Sequence, residues 1–525
     1  MISGAMRGLS RTKSVPTARS PRATIPRLDS HLYGEISRRS GFSEGYSWLT
    51  LKANNNKNNK VANMNRSDVI VVGAGISGLT AAWRLAQAGQ RVKVIEANKR
   101  VGGRTLNHRF ASGEVVEVGG QWVGPTQERI LSLLAELGLS TYPQWNQGDN
   151  LTLFGGRLRP YRGTIPKFPP HVLLDVLQAH VRLDRMAREI PLGDPSLHSK
   201  APQWDSLTFA EWLRRNVRTA TGRKVFELMC GAVFAASPHD LSFLHVLFYI
   251  HGGTNLDTVL GVDGGAQQDR ILGGSQRISE VLAERIGDVH TGEPVRAVRQ
   301  DGSRVELVTD RGTHRASHVI FAIPPTQLLR IIQEPLLPSW RDQLLQRLPQ
   351  GAVIKCMALY DTPFWRDKGL SGQATSEAGP VRLTFDNSVP GSARGVLLGF
   401  IEGDEARQWN ARPAGDRRGQ VLECFARYFG EQALQPVDYV DKSWAEEPFA
   451  RGCYAALFPP GLWSSGAARL REPYGRLHFA GTETATRWMG YFDGAVEAGE
   501  RAAREVLGAR EDHGEEDYVR HLGIA

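Results

Sequence analysis

A short apolar run, Asp68-Val-Ile-Val-Val72, passes directly into Gly73-Ala-Gly75-Ile-Ser77-Gly78 and then into a segment whose Leu79, Ala82, Trp83 and Ala86 recur at helical spacing. This order of strand, glycine turn and helix constrains the chain more than any other feature, because each glycine answers a different steric demand. Gly73 allows the tight turn and Gly75 lets the backbone approach a pyrophosphate. Gly78 lets helix and strand pack closely, while the N–H groups of the helix start, around Ser77, face the anion. Gly89 ends the helix, and a second strand, Arg91-Val-Lys-Val-Ile95, delivers Glu96 about twenty residues past the glycines, where a carboxylate accepts both hydroxyls of an adenosine ribose. An acid there favours a ribose without a phosphate. The pattern predicts a bound dinucleotide; the alternative, a glycine-rich turn without a ligand, does not explain the strand, the helix and the terminal acid together.

The continuation Ala97-Asn-Lys-Arg-Val-Gly-Gly-Arg104-Thr105 adds two glycines and an arginine that prolong the contact along the cofactor, which speaks for FAD over NAD. A second glycine segment follows, Glu117-Val-Gly119-Gly120-Gln121-Trp122-Val-Gly-Pro-Thr-Gln127. Further on stand Gly351-Ala-Val-Ile-Lys355-Cys356, then Ala450-Arg-Gly-Cys453-Tyr454 with Phe458-Pro-Pro-Gly461 behind it, and Gly481-Thr482-Glu-Thr leading to Gly490-Tyr491. In these residues the sequence resembles the flavin-containing amine oxidases, most closely the monoamine oxidases, from about Asp68 to Leu507.

The resemblance implies an α/β fold, a Rossmann-like FAD-binding domain interleaved with an α+β substrate domain (the amine oxidase or glutathione-reductase-like FAD fold). The expected division is 66–142, 269–344 and 447–508 for FAD, and 143–268 with 345–446 for the substrate. Lys355, Tyr454 and Tyr491 are then the expected catalytic residues. The two tyrosines would form a cage that presents π faces to the amine. Lys355, a charge in an otherwise apolar strand that demands a partner, would hold a water at flavin N5 and assist the oxygen reaction. Cys453 matches the cysteine that carries the flavin as an 8α-S-cysteinyl adduct in monoamine oxidases; a free thiol packed near the ring is the alternative. Thr482 and a helix start near Ala495 and Val496 would offer N–H groups to the pyrophosphate or the flavin edge, and Val295 would touch the adenine. Trp122 and Trp444 match aromatic positions near the ring.

Some positions depart from the relatives. Asn98 stands where many carry arginine, Leu383 beside Arg382 replaces a gating aromatic, and the register at Gln267-Gln268 is shifted by one. The implied activity is oxidation of an amine to an imine and aldehyde, with hydride transfer to flavin N5 and reoxidation by oxygen to hydrogen peroxide. An L-amino-acid oxidase, a polyamine or diamine oxidase, and a non-catalytic flavoprotein module are the rival readings. An amino-acid oxidase needs a cationic clamp, for which Arg382 is the candidate.

Composition supports an enzyme with a sizeable core: the 525 residues are 41% hydrophobic. The net charge of +9 does not indicate a nucleic-acid partner. Eleven Lys/Arg against three Asp/Glu precede Met64, so eight of the nine net charges belong to a Ser-, Arg- and Asn-rich leader, 1–65. That leader is expected to be disordered. It reads either as an organellar transit segment or as a solvated tail ahead of an initiating Met64, the latter being favoured. No run approaches the roughly 20 apolar residues of a membrane span, and 509–525 is a polar tail. Four cysteines without metal spacing fit a reducing compartment. The expectation is a soluble, cytoplasmic protein with no metal, no membrane and no nucleic acid, its partners being a small-molecule amine and oxygen, with a homodimer left open. A coarse pass predicts helices from about Ile130 to Ile250 and a hairpin, Val295–Val298 and Val305–Val308, turned at Asp301-Gly302.

Overall fold

The computed structural model describes residues 66–163 and 166–508; the leader and the C-terminal tail lie outside the described residues. The apolar run before the glycines forms the strand Arg66–Val72, which pairs in parallel with Val92–Ile95 on one side and Gly312–Phe321 on the other. Residues from three distant parts of the chain thus share one eight-stranded sheet. The strand Gly312–Phe321 is long enough to serve two neighbours on its second edge. Its first half pairs antiparallel with Val305–Thr309, and its second half in parallel with Leu477–Phe479. The predicted hairpin is present as Val295–Gln300 and Val305–Thr309.

Four parallel strands of this sheet end at Val72, Ile95, Phe321 and Phe479. The helices Ile76–Gln87 and Phe492–Leu507 lie against each other so closely that a Cβ on Gly499 would stand 2.3 Å from the Ser77 carbonyl oxygen. Any side chain at residue 499 would push the helices apart.

A seven-stranded sheet holds the lysine strand, Val353–Tyr360, between Gly395–Glu402 and Asp438–Ser443, with Lys355 opposite both Phe400 and Lys442. All eight residues of that strand are buried, as its apolar composition requires. The stretch 130–250 is not wholly helical as expected. Asp149–Phe154 and Arg157–Tyr161 form an antiparallel hairpin that extends the second sheet. Its turn is Gly155-Gly156, at φ +59° and +70°, conformations that glycine adopts at no steric cost. Leu151 and Leu153 before the turn both join the core under this sheet. The helices Pro170–Ala187, Ala220–Phe234 and Phe243–Gly252 follow. The last is a buried helix, with nine of its ten residues buried.

Candidate active site

The carboxyl ends of the four parallel strands open into one cavity of about 340 Å³, so that Gly73, Glu96, Ile323 and Gly481 all line it. Open α/β sheets place ligands at this edge because the turns leaving the strands expose backbone N–H groups there. Gly73 takes φ +106°, and a Cβ on it would lie 2.6 Å from the Ala322 carbonyl oxygen. Gly75 and Gly103 stand back to back, a Cβ on Gly103 reaching 3.1 Å from the Gly75 Cα. A Cβ on Gly78 would sit 2.0 Å from the Gly73 carbonyl oxygen, so this glycine holds helix to strand without lining the cavity. The helix Ile76–Gln87 has no acid in its first turn, which leaves its positive end uncompensated, and the buried Ser77 Oγ has no partner. Both facts suit an anionic, hydrogen-bonding ligand such as a pyrophosphate.

Glu96 receives the N–H of Ala74 at 2.7 Å on one oxygen and that of Asn98 at 2.7 Å on the other. Burial raises its pKa, these two bonds oppose the rise, and each oxygen keeps a lone pair for a ribose hydroxyl. The Glu293-Pro294-Val295 segment closes over the same end, tied to it by the Glu293 N–H on the Glu96 carbonyl oxygen at 2.9 Å. The donors, the glycine cradle and the carboxylate fit a dinucleotide cofactor.

At the other end stand Lys355, Cys453, Tyr454 and Tyr491, all lining the cavity. Lys355 donates to the Gly119 carbonyl oxygen at 2.7 Å and to Gln121 Oε1, and lies 5.7 Å from the Trp122 ring and 5.6 Å from the Phe400 ring. Burial pushes its pKa down to about 7; the Arg270 charge adds to the shift and Glu117 opposes it. Glu117 and Arg270 are themselves a fully buried ion pair at 2.6 Å. Gln121 passes the network on, donating to Asn387 Oδ1 at 2.9 Å.

Tyr491 packs edge-on against Trp488, ring centroids 4.9 Å apart, and leans on Tyr249 at 5.9 Å. Tyr454 donates its hydroxyl to Glu402 Oε1 at 2.9 Å. Burial raises the pKa of both phenols, that of Tyr491 to about 12, so each ring is neutral and offers a π face. Burial likewise pushes the Cys453 thiol up to about 12, while the charges of Arg104 and Lys355 pull it down.

Arg104 lines the cavity and forms a two-pronged pair with the buried Glu483, at 2.7 and 3.2 Å, while also donating to the Tyr454 carbonyl oxygen at 2.8 Å. Glu483 further accepts the Ala456 N–H at 3.2 Å. One buried carboxylate thus pins the 453–456 loop to the turn that carries Thr482.

Gly119, Gly120, Gln121, Trp122, Val295 and Thr482 also line the cavity, whereas Trp444 and Val496 do not. Trp444 is buried behind the second glycine segment, its Nε1–H on the Val118 carbonyl oxygen at 2.8 Å, where it supports Gly119 from the far side. The helix expected to start near Ala495 and Val496 starts at Phe492. The Ala495 N–H is therefore spent on the Tyr491 carbonyl oxygen, and Val496 faces the core. Of the two glutamines in the shifted register, Gln267 lines the cavity and Gln268 caps its own turn by accepting the Gly264 N–H. Glu402, Glu483, Tyr249 and Phe400 escaped sequence reasoning. Only Glu483 had a local signal, as the acid inside Gly481-Thr-Glu-Thr.

The family model described as flavin containing amine oxidoreductase matches residues 76–507. The horse protein named amine oxidase [flavin-containing] A is 41% identical over 451 residues, 84% of this chain and 85% of that one. Among solved structures, a putrescine oxidase bound to putrescine superposes with a TM-score of 0.82 at 34% identity, covering 84% of this chain and 99% of that one. The cyclohexylamine oxidase of Brevibacterium oxydans IH-35A gives 0.81 at 31% identity, covering 84% and 99%. With the expected fold and a cavity at the strand ends in one molecule, these likenesses settle the question of kind: the chain belongs to the flavin-containing amine oxidoreductases and is an enzyme that oxidises amines with a flavin and oxygen.

Proposed function

We propose that the flavin is FAD, bound with its adenosine at Glu96 and Val295 and its ring among Lys355, Cys453, Tyr454 and Tyr491, and that the substrate is a primary amine with a single amino group and an apolar body. Bound FAD would supply the electron sink between the amine and oxygen, so that the amine leaves as an imine that water hydrolyses to an aldehyde and oxygen leaves as hydrogen peroxide. The observation that carries this reading is the co-location of Lys355 and both tyrosines at one end of a cavity whose other end is the glycine and glutamate cradle.

In this reading Tyr454 and Tyr491 orient the neutral amine between their π faces. Trp122, Phe400, Val233 and Tyr249 keep bulk water from the reacting carbon. Lys355, poised to gain or lose its proton near neutrality, holds a water and a positive charge where oxygen is reduced.

The nature of the walls argues against the rivals. The carboxylates lining the cavity among the described residues, Glu96 and Glu293, belong to the adenosine end, and Glu402 lies behind Tyr454 and is engaged by its hydroxyl, so no lining carboxylate is left at the cage for the second ammonium of a diamine. Arg382, the candidate clamp for an amino-acid carboxylate, is engaged with Glu405 at 2.7 Å and does not line the cavity.

We further propose that Cys453 Sγ is bonded to the flavin 8α carbon, since the thiol lines the cavity beside Lys355 and Tyr454 and stands at the position that resembles the flavin-bearing cysteine of monoamine oxidases. Acid precipitation of the pure protein is the test, with flavin in the pellet as the expected outcome; flavin wholly in the supernatant overturns the bond. We place the enzyme in the cytoplasm: no helix among the described residues is long and apolar enough to cross a membrane, and all four cysteines are free. For the substrate class, benzylamine and n-hexylamine are expected to bleach the flavin anaerobically, and putrescine and L-phenylalanine to leave it oxidised. Bleaching by putrescine or by L-phenylalanine in preference to the monoamines would replace the substrate assignment.

A further inference from the structure

We infer that Glu402 is a positioning residue of the amine cage, acting through the hydroxyl of Tyr454 to set how strongly the cage holds its substrate. The inference rests on the reading of Tyr454 and Tyr491 as that cage.

Glu402 is the last residue of the strand Gly395–Glu402. Alternation along the strand puts it on the same face as Phe400, and Phe400 lines the cavity opposite Lys355. Its Oε1 accepts the Tyr454 O–H at 2.9 Å. Its Oε2 points towards Gly231 on the helix Ala220–Phe234, where a Cβ would stand 3.5 Å away. A phenol that donates to a carboxylate carries more electron density in its ring than one that donates to a neutral group, and charge-assisted bonds hold their geometry better. The ionised Glu402 therefore does two things at once: it fixes the Tyr454 ring and enriches the π face turned to the amine.

The charged and titratable surroundings allow this carboxyl to change state near neutrality. Desolvation raises its pKa to about 7; the Tyr454 hydrogen bond and the Arg382 charge oppose the rise. Arg382 is already paired with Glu405, on the helix Gly403–Asn410, so its pull is shared. From the same helix Arg407 is paired with Asp240 at 3.0 Å. On the side of Ala220–Phe234 the Glu402 charge is felt by Cys230, whose thiol burial holds well above its usual pKa and hence neutral. A carboxyl whose pKa is raised gains its charge as pH climbs through about 7, so the cage should tighten over that interval.

The test uses the holoenzyme and the monoamine that bleaches the wild-type flavin fastest, with the dissociation constant and limiting rate of flavin reduction measured from pH 6 to 9. In the wild type a step in affinity is expected near pH 7, separate from the alkaline limb on which the substrate itself loses its proton. Glu402→Gln keeps the size and a hydrogen-bond acceptor but not the charge. It should weaken amine binding about fivefold at pH 8, the difference between a charged and a neutral acceptor. It should match the wild type at pH 6 and lack the step, while the oxygen reaction is unchanged. Tyr454→Phe should also lack the step, since the link between Glu402 and the cage is gone. A wild type with no step, or a Glu402→Gln or Tyr454→Phe variant that keeps it, overturns the inference and leaves the amine oxidase reading in place. Failure of every amine to bleach the wild type would overturn both.

Discussion

Replacing Lys355 with Met removes the positive charge from the cavity while nearly conserving volume, and the surroundings of the lysine set the scale of the effects. Burial has moved its pKa from 10.5 to about 7. At about 1.4 kcal/mol per unit, keeping this ammonium charged inside the protein costs about 5 kcal/mol. Because the folded pKa lies below the unfolded one, that penalty is full below pH 7 and fades as pH rises towards 10.5. Methionine avoids it, but leaves the Gly119 carbonyl and Gln121 Oε1 without their donor, at about 1–3 kcal/mol each. The two sides nearly offset at neutral pH, so the variant should fold, and its stability relative to wild type should be best in acid and worsen with rising pH. The loss falls on chemistry instead. Removing one preorganised donor at a centre of developing charge costs about a hundredfold or more. Rapid mixing of the amine-reduced enzyme with oxygen should show flavin oxidation slowed about a hundredfold, a magnitude set by that same principle. Anaerobic reduction by the amine should change far less. An oxidation rate equal to that of wild type, or an equal loss in both half-reactions, would refute the role given to Lys355.

Glu483→Leu should strand the Arg104 charge and free the 453–456 loop, costing about 3–5 kcal/mol in thermal unfolding along with flavin content; a variant as stable as wild type would show that the pair contributes nothing. Gly78→Ala should abolish the holoprotein, since its Cβ has 2.0 Å to the Gly73 carbonyl oxygen, and a normal flavin-to-protein ratio would contradict the packing described. Glu96→Gln should weaken FAD binding by roughly tenfold to a hundredfold, the worth of a charged acceptor, as read by reconstitution of flavin-free protein in a Cys453→Ala background that cannot form the covalent bond. The rate constant of flavin reduction should rise with pH as the bound amine loses its proton; a flat profile from acid to alkaline would mean that the ammonium form reacts.

What the sequence made legible were demands that consecutive residues meet by themselves. Gly73, Gly75, Gly78 and Glu96 could be assigned because a turn, a helix start and a strand end each restrict residue type locally. Lys355 stood out as a charge in an apolar strand, and the structure supplies the partner it called for, although Gly119 lies 236 residues away and no local pattern could name it. Glu402 and Tyr249 were out of reach for the same reason. Their importance comes from which residue of a buried strand or helix faces the cavity, and that depends on how the second sheet sits against the helices. Trp444 was placed near the ring by resemblance; it is buried behind Gly119 and does not line the cavity. The hairpin Asp149–Tyr161 was missed although Gly155-Gly156 marks its turn, because the Leu- and Arg-rich composition of 130–250 was read as helical throughout. Val496 was misplaced because the helix starts three residues ahead of Ala495, where Phe492 follows the Gly490 turn at φ +85°.

The central claim is that one cavity holds the flavin, the cage and Lys355 in a working arrangement. Anaerobic mixing of the purified holoprotein with benzylamine, followed by admission of air, tests it most directly. The account predicts that the amine bleaches the flavin, and that on aeration the colour returns with benzaldehyde and hydrogen peroxide formed in equal amounts. A flavin that dithionite reduces but no amine bleaches would contradict it.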